Sequence, residues 1–450
     1  MRDFLAVAGI IFCISLSLLT GTSLSIGFLA AILLCAVAQY GNYEIKTTCK
    51  SMVAAISEVK ILFVIIFLIG ASVSSWLAGG VVQTIMVYGL KAMLGQNVIL
   101  MTFVITAVAG FFMGTAIGTI STLGIAILGI GAAFNIPLAM LLGAAVSGAF
   151  VSDKISPLSG LMNLTLSGAG SKYRDAVQSM LVTLVPTLLL TGLFYVFIGG
   201  KYVTSSADQV TQIEAAMRHA FVIHPALFVL PIFVVAMALL GKPSTLSIGS
   251  GVVLGAVFSV WIQGNTLIES LKFILMGYSV QTGDQLLDGV LKSGGMIGMV
   301  EVIFIVMGAV ALSDLMESSQ LNNRLFGPYF ESVKTGNQLL MRSGFVSIIL
   351  TALTCDQTAG IVLPLKMLRK KGPAFKVTPA MSVRAISDTG TIVAPLMPWN
   401  INALIIIGIT GISATAYAPY AVLCAIAPIV HTVYLMVRPV NKIKNTKNAA

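Results

Sequence analysis

The sequence VILMTFVITAVAGFFM (98–113) is followed by GTAIGT (114–119) and then by ISTLGIAILGIGAAF (120–134), so small and hydroxyl residues interrupt a long apolar stretch. A helix of 15 residues reaches only about 22 Å, whereas the hydrocarbon core of a bilayer is about 30 Å thick. Neither apolar part is therefore long enough to cross a membrane alone. The stretch predicts a re-entrant hairpin or a broken helix.

The whole chain has the same apolar character. Of its 450 residues, 57% are hydrophobic and 9% are charged, against roughly 25% charged in soluble domains. A membrane-crossing helix needs about 20 apolar residues, and roughly a dozen hydrophobic helices fit into this length. The composition excludes a water-soluble globule and predicts an all-α polytopic membrane protein.

Hydropathy along the chain predicts fourteen apolar spans, several of them too short to cross a bilayer. They are 4–19, 25–39, 61–77, 98–113, 120–134, 137–150, 177–198, 221–240, 246–262, 296–312, 339–352, 361–368, 401–412 and 420–437.

Charge and side-chain chemistry exclude several function classes. The net charge of +10 arises from 26 Lys and Arg against 16 acidic residues, and bases in short loops are typical of membrane orientation rather than of nucleic-acid binding. The five Cys and three His are dispersed, so neither a disulfide framework nor a zinc site is indicated. The sequence contains no metalloprotease, nucleophile-elbow or P-loop motif. We therefore expect a non-enzyme without a cofactor.

Basic clusters predict the orientation. The densest are the loop 366–376, the pair Lys172 and Arg174, the loop 46–60, and the tail with Arg438, Lys442, Lys444 and Lys447. The positive-inside rule places these clusters in the cytoplasm, and the nearly charge-balanced segments 201–218 and 266–292 outside. The chain is thus expected to be a multi-pass protein of the cytoplasmic membrane with a cytoplasmic C-terminus.

The orientation predicts internal symmetry. The span that begins at Ile61 follows a basic loop predicted to be cytoplasmic, whereas the span that begins at Met296 follows a segment predicted to face outward. Halves that begin on opposite sides indicate inverted repeats. The predicted organisation is N-terminal scaffold helices (1–60), a first inverted repeat (61–198), a linker with connecting helices (199–295), a second inverted repeat (296–437) and a basic cytoplasmic tail (438–450).

Local motifs also occur twice. Ser152-Asp153 precedes Pro157-Leu158 and Asn163, and Ser387-Asp388 precedes Pro395-Leu396 and Asn400. An earlier polar break precedes each set, at 114–119 and at 354–358. Paired breaks in repeated hydropathy indicate a transporter whose substrate site lies at the repeat interface near the middle of the membrane.

Three aspartates are the main site candidates: Asp153, Asp356 and Asp388. A charge at membrane depth costs about 2.5–3.5 kcal/mol on insertion scales, so such a residue is a functional candidate. Hydroxyl residues, Gly or Pro flank each one, and carboxylate, hydroxyl, amide and carbonyl oxygens together suit a small hard cation. The same carboxylate binds a proton instead of the cation, so one site could exchange the two.

A structural alternative remains open for each aspartate, namely that it caps a half-helix or pairs with a base. Asp153 lies beside Lys154, and Asp388 lies four residues after Arg384. Asp356 has no base within seven residues on either side, so this alternative is weakest there.

Further candidate ligands are uncharged oxygen donors near the same breaks. They are Thr115, Thr119, Ser156, Ser159, Asn163, Gln357, Thr389, Thr391 and Asn400, with Asn402 as a further carboxamide. Ordinary interhelical hydrogen bonding is the alternative role of the carboxamides. Glu301, a few residues into its span, is interpreted as an interface residue.

Ordered motifs resemble the NhaC-type sodium/proton antiporters. In the first half these are FLIG (67–70), SWLAGG (75–80), GTAIGT (114–119) and SGAFVSDKISPLS (147–159). In the second half they are DQ (356–357), IVLP (361–364), SDTGT (387–391), APLMPWN (394–400) and YAPYA (417–421). The resemblance covers about residues 60–170 and 300–437.

The resemblance implies a fold and a function. The family belongs to the ion transporter superfamily, which implies inverted repeats, re-entrant hairpins, a scaffold with a mobile transport domain, and often a homodimer. Its members exchange Na+ for H+, which implies a secondary antiporter with Asp153, Asp356 and Asp388 around the Na+ site. Some relatives couple Na+ or H+ to a carboxylate such as malate or lactate, so a coupled carrier of a small organic solute is the alternative.

Two positions depart from the family pattern. Family members usually have an acidic residue where this chain has Gly160, and another where it has Ser387. In the alternative function, Gly160, Leu161 and Met162 make room for an organic group. An intramembrane aspartyl enzyme using Asp356 and Asp388 is not favoured, because the resemblance explains both residues.

Overall fold

The computed structural model describes residues 2–41, 43–202, 207–280, 285–438 and 440. Within these ranges the regular elements are all helices. Seven helices are long and apolar enough to cross a membrane, or up to ten if each bent pair forms one span. The prediction of an all-α, multi-pass membrane protein is confirmed. The predicted basic tail lies outside the described residues, apart from Arg438 and Val440.

Three N-terminal helices pack against the second half of the chain. They are α1 (Arg2–Thr20), α2 (Leu24–Ala38) and α3 (Ile45–Glu58). The segment 46–60, predicted as a loop, is mostly this third helix, whose surface is largely exposed. The Ser51 hydroxyl donates to the carboxylate of Asp314, 2.9 Å away, and so ties α3 to the later helices.

The first half contains eight helices. They are α4 (Lys60–Ala78), α5 (Val81–Met93), α6 (Val98–Met113), α7 (Ala116–Ala133), α8 (Leu138–Ala149), α9 (Val151–Ile155), α10 (Gly160–Ala169) and α11 (Tyr173–Gly199). The connecting region contains α12 (Ala207–Ala220), α13 (Val229–Leu239), α14 (Ser244–Trp261), α15 (Leu267–Met276) and α16 (Gln285–Val290). Of these, α14 packs along α4: a Cβ on Gly255 would lie 2.6 Å from the Ser75 hydroxyl.

The second half passes through the same series of elements. It contains α17 (Val300–Ser318), α18 (Leu321–Glu331), α19 (Gly336–Thr354), α20 (Gln357–Lys371), α21 (Pro379–Ser387), α22 (Gly390–Val393), α23 (Ile401–Thr410), α24 (Ala414–Tyr417) and α25 (Val422–Val437). Apart from the short α24, each of these helices has a counterpart in α4–α11.

Residues in the left-handed backbone conformation fix the register between the halves. The matching pairs are Gly80 with Gln320, Gly114 with Cys355, Asn135 with Lys376, and Gly170 with Gly411. The offset is 241 residues for three pairs and 240 for the first. A positive φ marks a sharp reversal or a helix end, so four matches show that the chain turns at equivalent places in both halves.

This register corrects the pairing of the aspartate motifs. At an offset of 241 residues, Asp153 corresponds to Ala394, and Asp388 corresponds to Ser147. The pairing of Ser152-Asp153 with Ser387-Asp388 is therefore six residues out of register. The reason is that Asp153 lies in α9, after the break in its helix pair, whereas Asp388 ends α21, before the equivalent break.

The helix pairs α6–α7 and α19–α20 each form a hairpin. The two hairpins enter from opposite ends of the molecule. At the base of α6–α7, the Asn97 amide donates to the Tyr195 carbonyl, 3.0 Å away, near the end of α11. At the base of α19–α20, Leu368 and Val377 share a small cavity with Gly170, just before α11 begins. Since α11 has 27 residues, these two points lie about 40 Å apart. Inverted repeats produce this arrangement.

Two segments that were predicted to be cytoplasmic lie at the same end of the molecule. The Asn337 amide, at the start of α19, donates to the Leu435 carbonyl near the end of α25. The Val440 N–H donates to the Asn337 side chain, 2.8 Å away. The end of α25 therefore lies beside the base of α19–α20 and the basic segment 366–376. This segment was predicted as a loop, but residues 366–371 form the C-terminal part of α20, and a 3-10 turn over Gly372–Phe375 follows it.

Candidate functional site

Each hairpin tip combines a left-handed residue with an extended residue that caps the next helix. Gly114 ends α6, and Thr115 begins α7 by accepting the Gly118 N–H at 3.5 Å. Cys355 ends α19, and Asp356 begins α20 by accepting the Thr358 N–H at 2.9 Å. Capping side chains of this kind fix where each helix begins. The two polar breaks thus become the tips of the two hairpins.

The two tips face a common space. A cavity of about 600 Å³ is lined by Thr115, Asp153, Ser159 and Asn402. A second cavity of about 240 Å³ shares Thr115 and Asn402 with the first and reaches Asp356. Because the two spaces adjoin and share these walls, we refer to them together as the tip cavity.

The tip cavity opens toward one end of the molecule. Its rim includes Lys242 and Ser244 in the turn between α13 and α14, both exposed. Leu161 and Leu164 of α10 also line the tip cavity, and the end of α10 reaches the base of α19–α20. The opening therefore faces the end that carries the basic segment 366–376.

Asp153 lies in the wall of the tip cavity and is 8% exposed. Its carboxylate accepts a hydrogen bond from the Ser159 hydroxyl, 3.4 Å away, and faces the backbone amide of Ala116 at the start of α7. Among the residues that the structure describes, Asp153 has no salt-bridge partner. The neighbouring Lys154 pairs with a different carboxylate.

Asp356 lies at the second hairpin tip and is half-buried. One of its carboxylate oxygens caps α20, as the structural alternative for these residues expects. Within the described ranges no base forms a salt bridge with it. Beside it, the Gln357 amide donates to the Thr391 carbonyl at 2.6 Å and accepts from Asn402 at 3.0 Å. These bonds tie α20, α22 and α23 together at the tip.

Asp388 is separate from the other two aspartates. It is fully buried, and its two carboxylate oxygens contact Lys154 Nζ and His431 Nδ1, the latter at 3.0 Å. Arg384, its neighbour on α21, instead stacks on the Tyr434 ring with its guanidinium carbon 4.4 Å from the ring centre. Asp388 is not among the residues that line the tip cavity. The structure therefore brings two of the three candidate aspartates to one space.

The uncharged candidates divide in the same way. Thr115, Ser159 and Gln357 line the tip cavity. Thr119, Ser156, Thr391 and Asn400 are buried, where they bond to backbone groups of Thr115, Phe111, Ile386 and Asn402. Asn163 is exposed and donates to the Pro157 carbonyl, and Thr389 lines a different cavity.

Sequence reasoning missed three residues of this region. The Trp76 indole lines the tip cavity, and Lys154 and His431 hold Asp388. A lone His in an apolar helix, or a Lys next to an Asp, does not by itself predict contact with a distant carboxylate. The only available signal for His431 was its position as a polar residue within the apolar span 420–437.

The arrangement of the tip cavity suits a small cation. Among the described residues, two carboxylates without a salt bridge, several Ser and Thr hydroxyls including those of Thr115 and Ser159, and two carboxamides line its two adjoining spaces between the helix breaks. Hard cations such as Na+ and Ca2+ bind to carboxylate, hydroxyl and carbonyl oxygens. Broken helices near the middle of a membrane expose such donors in transporters.

Comparison with known proteins agrees with this chemistry. A family model described as the Na+/H+ antiporter family matches residues 162–438, more than half of the chain. Two curated relatives, the malate-2H+/Na+-lactate antiporter of Bacillus subtilis (strain 168) and the Na+/H+ antiporter NhaC of Alkalihalophilus pseudofirmus, are 26% and 27% identical to the chain. The first alignment covers 86% of this chain and 83% of the relative; the second covers 81% and 79%.

A third relative extends the range of functions. The arginine/ornithine antiporter ArcD of Halobacterium salinarum is 27% identical over 84% of this chain and 78% of its own length. These identities are nearly equal, so they do not discriminate between an ion exchanger and an organic-solute exchanger.

Proposed function

The chain belongs to the Na+/H+ antiporter family, and we propose that it exchanges Na+ for H+ across the cytoplasmic membrane by alternating access. One observation carries this proposal: Asp153 and Asp356 line two adjoining cavities that share wall residues between two helix breaks, and neither has a salt-bridge partner among the described residues. An ionised carboxylate at membrane depth is costly unless it is compensated. A bound Na+ or a bound proton provides that compensation.

Exchange follows from competition for the same oxygens. A proton on Asp153 or Asp356 occupies an oxygen that Na+ needs, so Na+ binding displaces the proton, and a rise in proton concentration displaces Na+. The Ser159 hydroxyl, 3.4 Å from Asp153, supplies a neutral donor. The carboxyl groups are thus protonated in one loaded state and bound to Na+ in the other, and only the loaded site crosses the membrane at low cost.

The opening of the tip cavity defines one state of the transport cycle. Its rim lies at the end that carries the basic segment 366–376, which the positive-inside rule places in the cytoplasm. We therefore assign the structure to an inward-open state. Movement of the hairpin tips relative to the α4 and α14 wall would close this opening and expose the site to the other side.

The test uses purified protein in liposomes with an imposed pH gradient. Addition of Na+ should dissipate the gradient with the wild-type protein, and Asp153→Asn or Asp356→Asn should abolish the response. Glu301→Gln is the matched control, because Glu301 lines a separate cavity beside α1 and α2. Normal Na+-driven dissipation by folded Asp356→Asn protein would overturn the proposed site.

Specific observations also favour a second candidate, a coupled carrier of a small organic solute. The volume of about 600 Å³ falls in the range of small-molecule pockets, about 300–1,000 Å³, and far exceeds a single Na+ ion. A Cβ on Gly160 would meet no atom within 4 Å, so the wall is open there. The buried Trp76 Nε1 has no hydrogen-bond partner within the part of the chain that the structure describes, and an N–H donor binds a carboxylate oxygen but not a cation.

A solute screen separates the two candidates. Liposomes loaded with malate, lactate, arginine or ornithine should show solute-driven exchange only in the second case. Trp76→Phe, which keeps an aromatic ring and removes the N–H, should then weaken solute exchange. If Na+ alone dissipates the pH gradient and none of the solutes stimulates it, the second candidate is excluded.

A further inference from the structure

A buried ionic cluster lies outside the tip cavity. Lys154 on α9, Asp388 at the end of α21 and His431 on α25 form a chain through the two oxygens of the single carboxylate. Their side chains are at most 1% exposed. Placing two charged groups and an imidazole in the interior costs several kcal/mol per ion before their attraction is counted. Residues from both halves of the molecule meet here.

The hydrogen bonds define the proton positions in this chain. An ionised carboxylate only accepts hydrogen bonds, so His431 Nδ1, 3.0 Å from Asp388, carries the donated proton. In a neutral imidazole the other nitrogen is then an acceptor. That nitrogen, His431 Nε2, is buried and has no partner among the described residues.

The unpaired nitrogen belongs to His431, which lies in the wall of another cavity, distinct from both spaces of the tip cavity. This space has about 390 Å³ and is lined by His431, Thr389, Arg342 and Tyr329, among others. It lies between α18, α19 and α25, and the tip cavity shares none of its lining residues. A buried lone pair beside such a space can accept a proton delivered by water.

The charged and titratable groups around His431 come from several helices. Lys154 (α9), Arg384 (α21) and Arg342 (α19) are the bases, Asp388 is the acid, and Tyr434 lies on α25 itself and stacks with Arg384. From α11, the Tyr195 hydroxyl lies 2.7 Å from Ser147, and the other titratable residues of α11 lie in its first turn. The helices α8 and α22 contain no titratable side chain.

We propose that His431, Asp388 and Lys154 form a second proton-binding site, separate from the cation site and filled from the cavity between α19 and α25. A proton adds to His431 Nε2, the Nδ1–H bond breaks, and that proton forms a bond to the Asp388 oxygen it faced. The imidazole remains neutral with its proton on the other nitrogen, and Asp388 becomes a neutral acid.

Loss of charge on Asp388 releases Lys154 from its ion pair. Lys154 is the chain neighbour of Asp153 on the five-residue helix α9, so the change occurs in the wall of the tip cavity. The second site therefore adds one proton per cycle to those displaced by Na+ at Asp153 and Asp356. This stoichiometry rests on the proposed function, whereas proton binding by the cluster does not.

Nitrogen NMR of the imidazole tests proton binding directly. The chain has three His residues, and His219 and His224 are exposed on the surface, so a His219→Gln/His224→Gln variant with ¹⁵N-labelled histidine reports His431 alone. Without Na+, the Nε2 signal should change from unprotonated to protonated as the pH is lowered stepwise. Asp388→Asn should alter that titration. A ring that keeps one protonation state and one tautomer throughout would overturn the proposal.

Transport stoichiometry provides the second test. Relative to wild type, His431→Gln should move one proton fewer per Na+, while the Na+ concentration for half-maximal rate changes by less than about twofold, because Gln keeps hydrogen bonding but cannot be protonated. His219→Gln is the matched control. An unchanged proton count in folded His431→Gln protein would contradict the proposal. Absence of Na+-driven proton movement in the wild type would instead refute the proposed function, and the NMR result would still decide proton binding.

Discussion

The two halves of the molecule have the same order of helices and turns but differ in where their charged residues lie. Thr115 and Asp356 occupy equivalent positions at the two hairpin tips, and one is a neutral cap while the other is an acid. Ser147 and Asp388 are also equivalent by the register of 241 residues. The repeat therefore supplies the helix breaks, and the individual residues decide which break carries charge.

The contacts of Ser147 and Asp388 show the consequence of this difference in charge. Ser147 Oγ accepts hydrogen bonds from the Tyr195 hydroxyl at 2.7 Å and from the Leu423 N–H at 3.3 Å. Asp388, at the equivalent position, is held by Lys154 and His431. A neutral contact in one half thus corresponds to an ionic cluster in the other. The three acids therefore have different roles: Asp153 and Asp356 face the tip cavity, and Asp388 joins the halves.

The largest expected contrast between the halves is in accessibility. If the repeats are inverted, a cysteine at Gln96, at the base of α6–α7, should react with an impermeant reagent from outside. A cysteine at Lys376, at the base of α19–α20, or at Lys444 should react only from inside. The exposed native Cys49 is first replaced by Ser. Outside labelling at position 376 or 444 would reverse the orientation, and labelling of both hairpin bases from one side would refute inversion.

The next largest effect concerns the ionic cluster. Asp388→Asn leaves Lys154 buried without a counter-charge, and breaking a buried pair costs about 3–5 kcal/mol. The variant should therefore unfold at a clearly lower temperature in detergent, whereas Asp153→Asn should unfold close to wild type because Asp153 has no salt bridge among the described residues. Lys154→Met combined with Asp388→Leu should recover much of the loss. Equal stability of Asp388→Asn and wild type would show that the pair does not hold the halves together.

The hairpin tips should respond in opposite directions to matched substitutions. Gly114→Ala places a Cβ at φ 72° and 2.5 Å from the Leu158 side chain, and left-handed backbone alone costs about 1–2 kcal/mol. Cys355→Gly, at φ 61°, removes a side chain from the same conformation and should be neutral or stabilising. Thermal unfolding of the two variants measures this difference. Tolerance of Gly114→Ala would argue against the close approach of α6 to Leu158.

The smallest expected effect is a change in cation affinity. Gly160→Asp adds a carboxylate where the wall of the tip cavity is open. A further unit charge near the ion contributes about 1 kcal/mol in a hydrated site. The Na+ concentration for half-maximal exchange should therefore fall by about fivefold, and Gly160→Asn serves as the uncharged control. If Gly160→Asp and Gly160→Asn change the half-maximal Na+ concentration equally, charge at this position does not affect Na+ affinity.

Sequence reasoning predicted the features that depend on long apolar runs and sharp breaks. The span 98–113 coincides with α6 at both ends, and the breaks at 114–119 and 354–358 became the hairpin tips. Hydropathy missed α5, α10, α18 and α21, because each has at most 13 residues and contains polar positions.

Contacts between distant residues could not be predicted. Lys154 and Asp388 are 234 residues apart, and no local pattern indicates that they pair. Similar motif composition also placed the aspartates six residues out of register, because only the backbone shows which residue lies before a break and which lies after it.

Proton release on Na+ binding tests the central claim most directly, namely that Asp153 and Asp356 exchange a proton for Na+. Na+ is added to purified, weakly buffered protein in detergent, and the change in pH is recorded against a choline control. The wild type should release protons, and folded Asp153→Asn or Asp356→Asn protein should release far fewer. Undiminished release from both variants would contradict the assignment of the ion site to these two carboxylates.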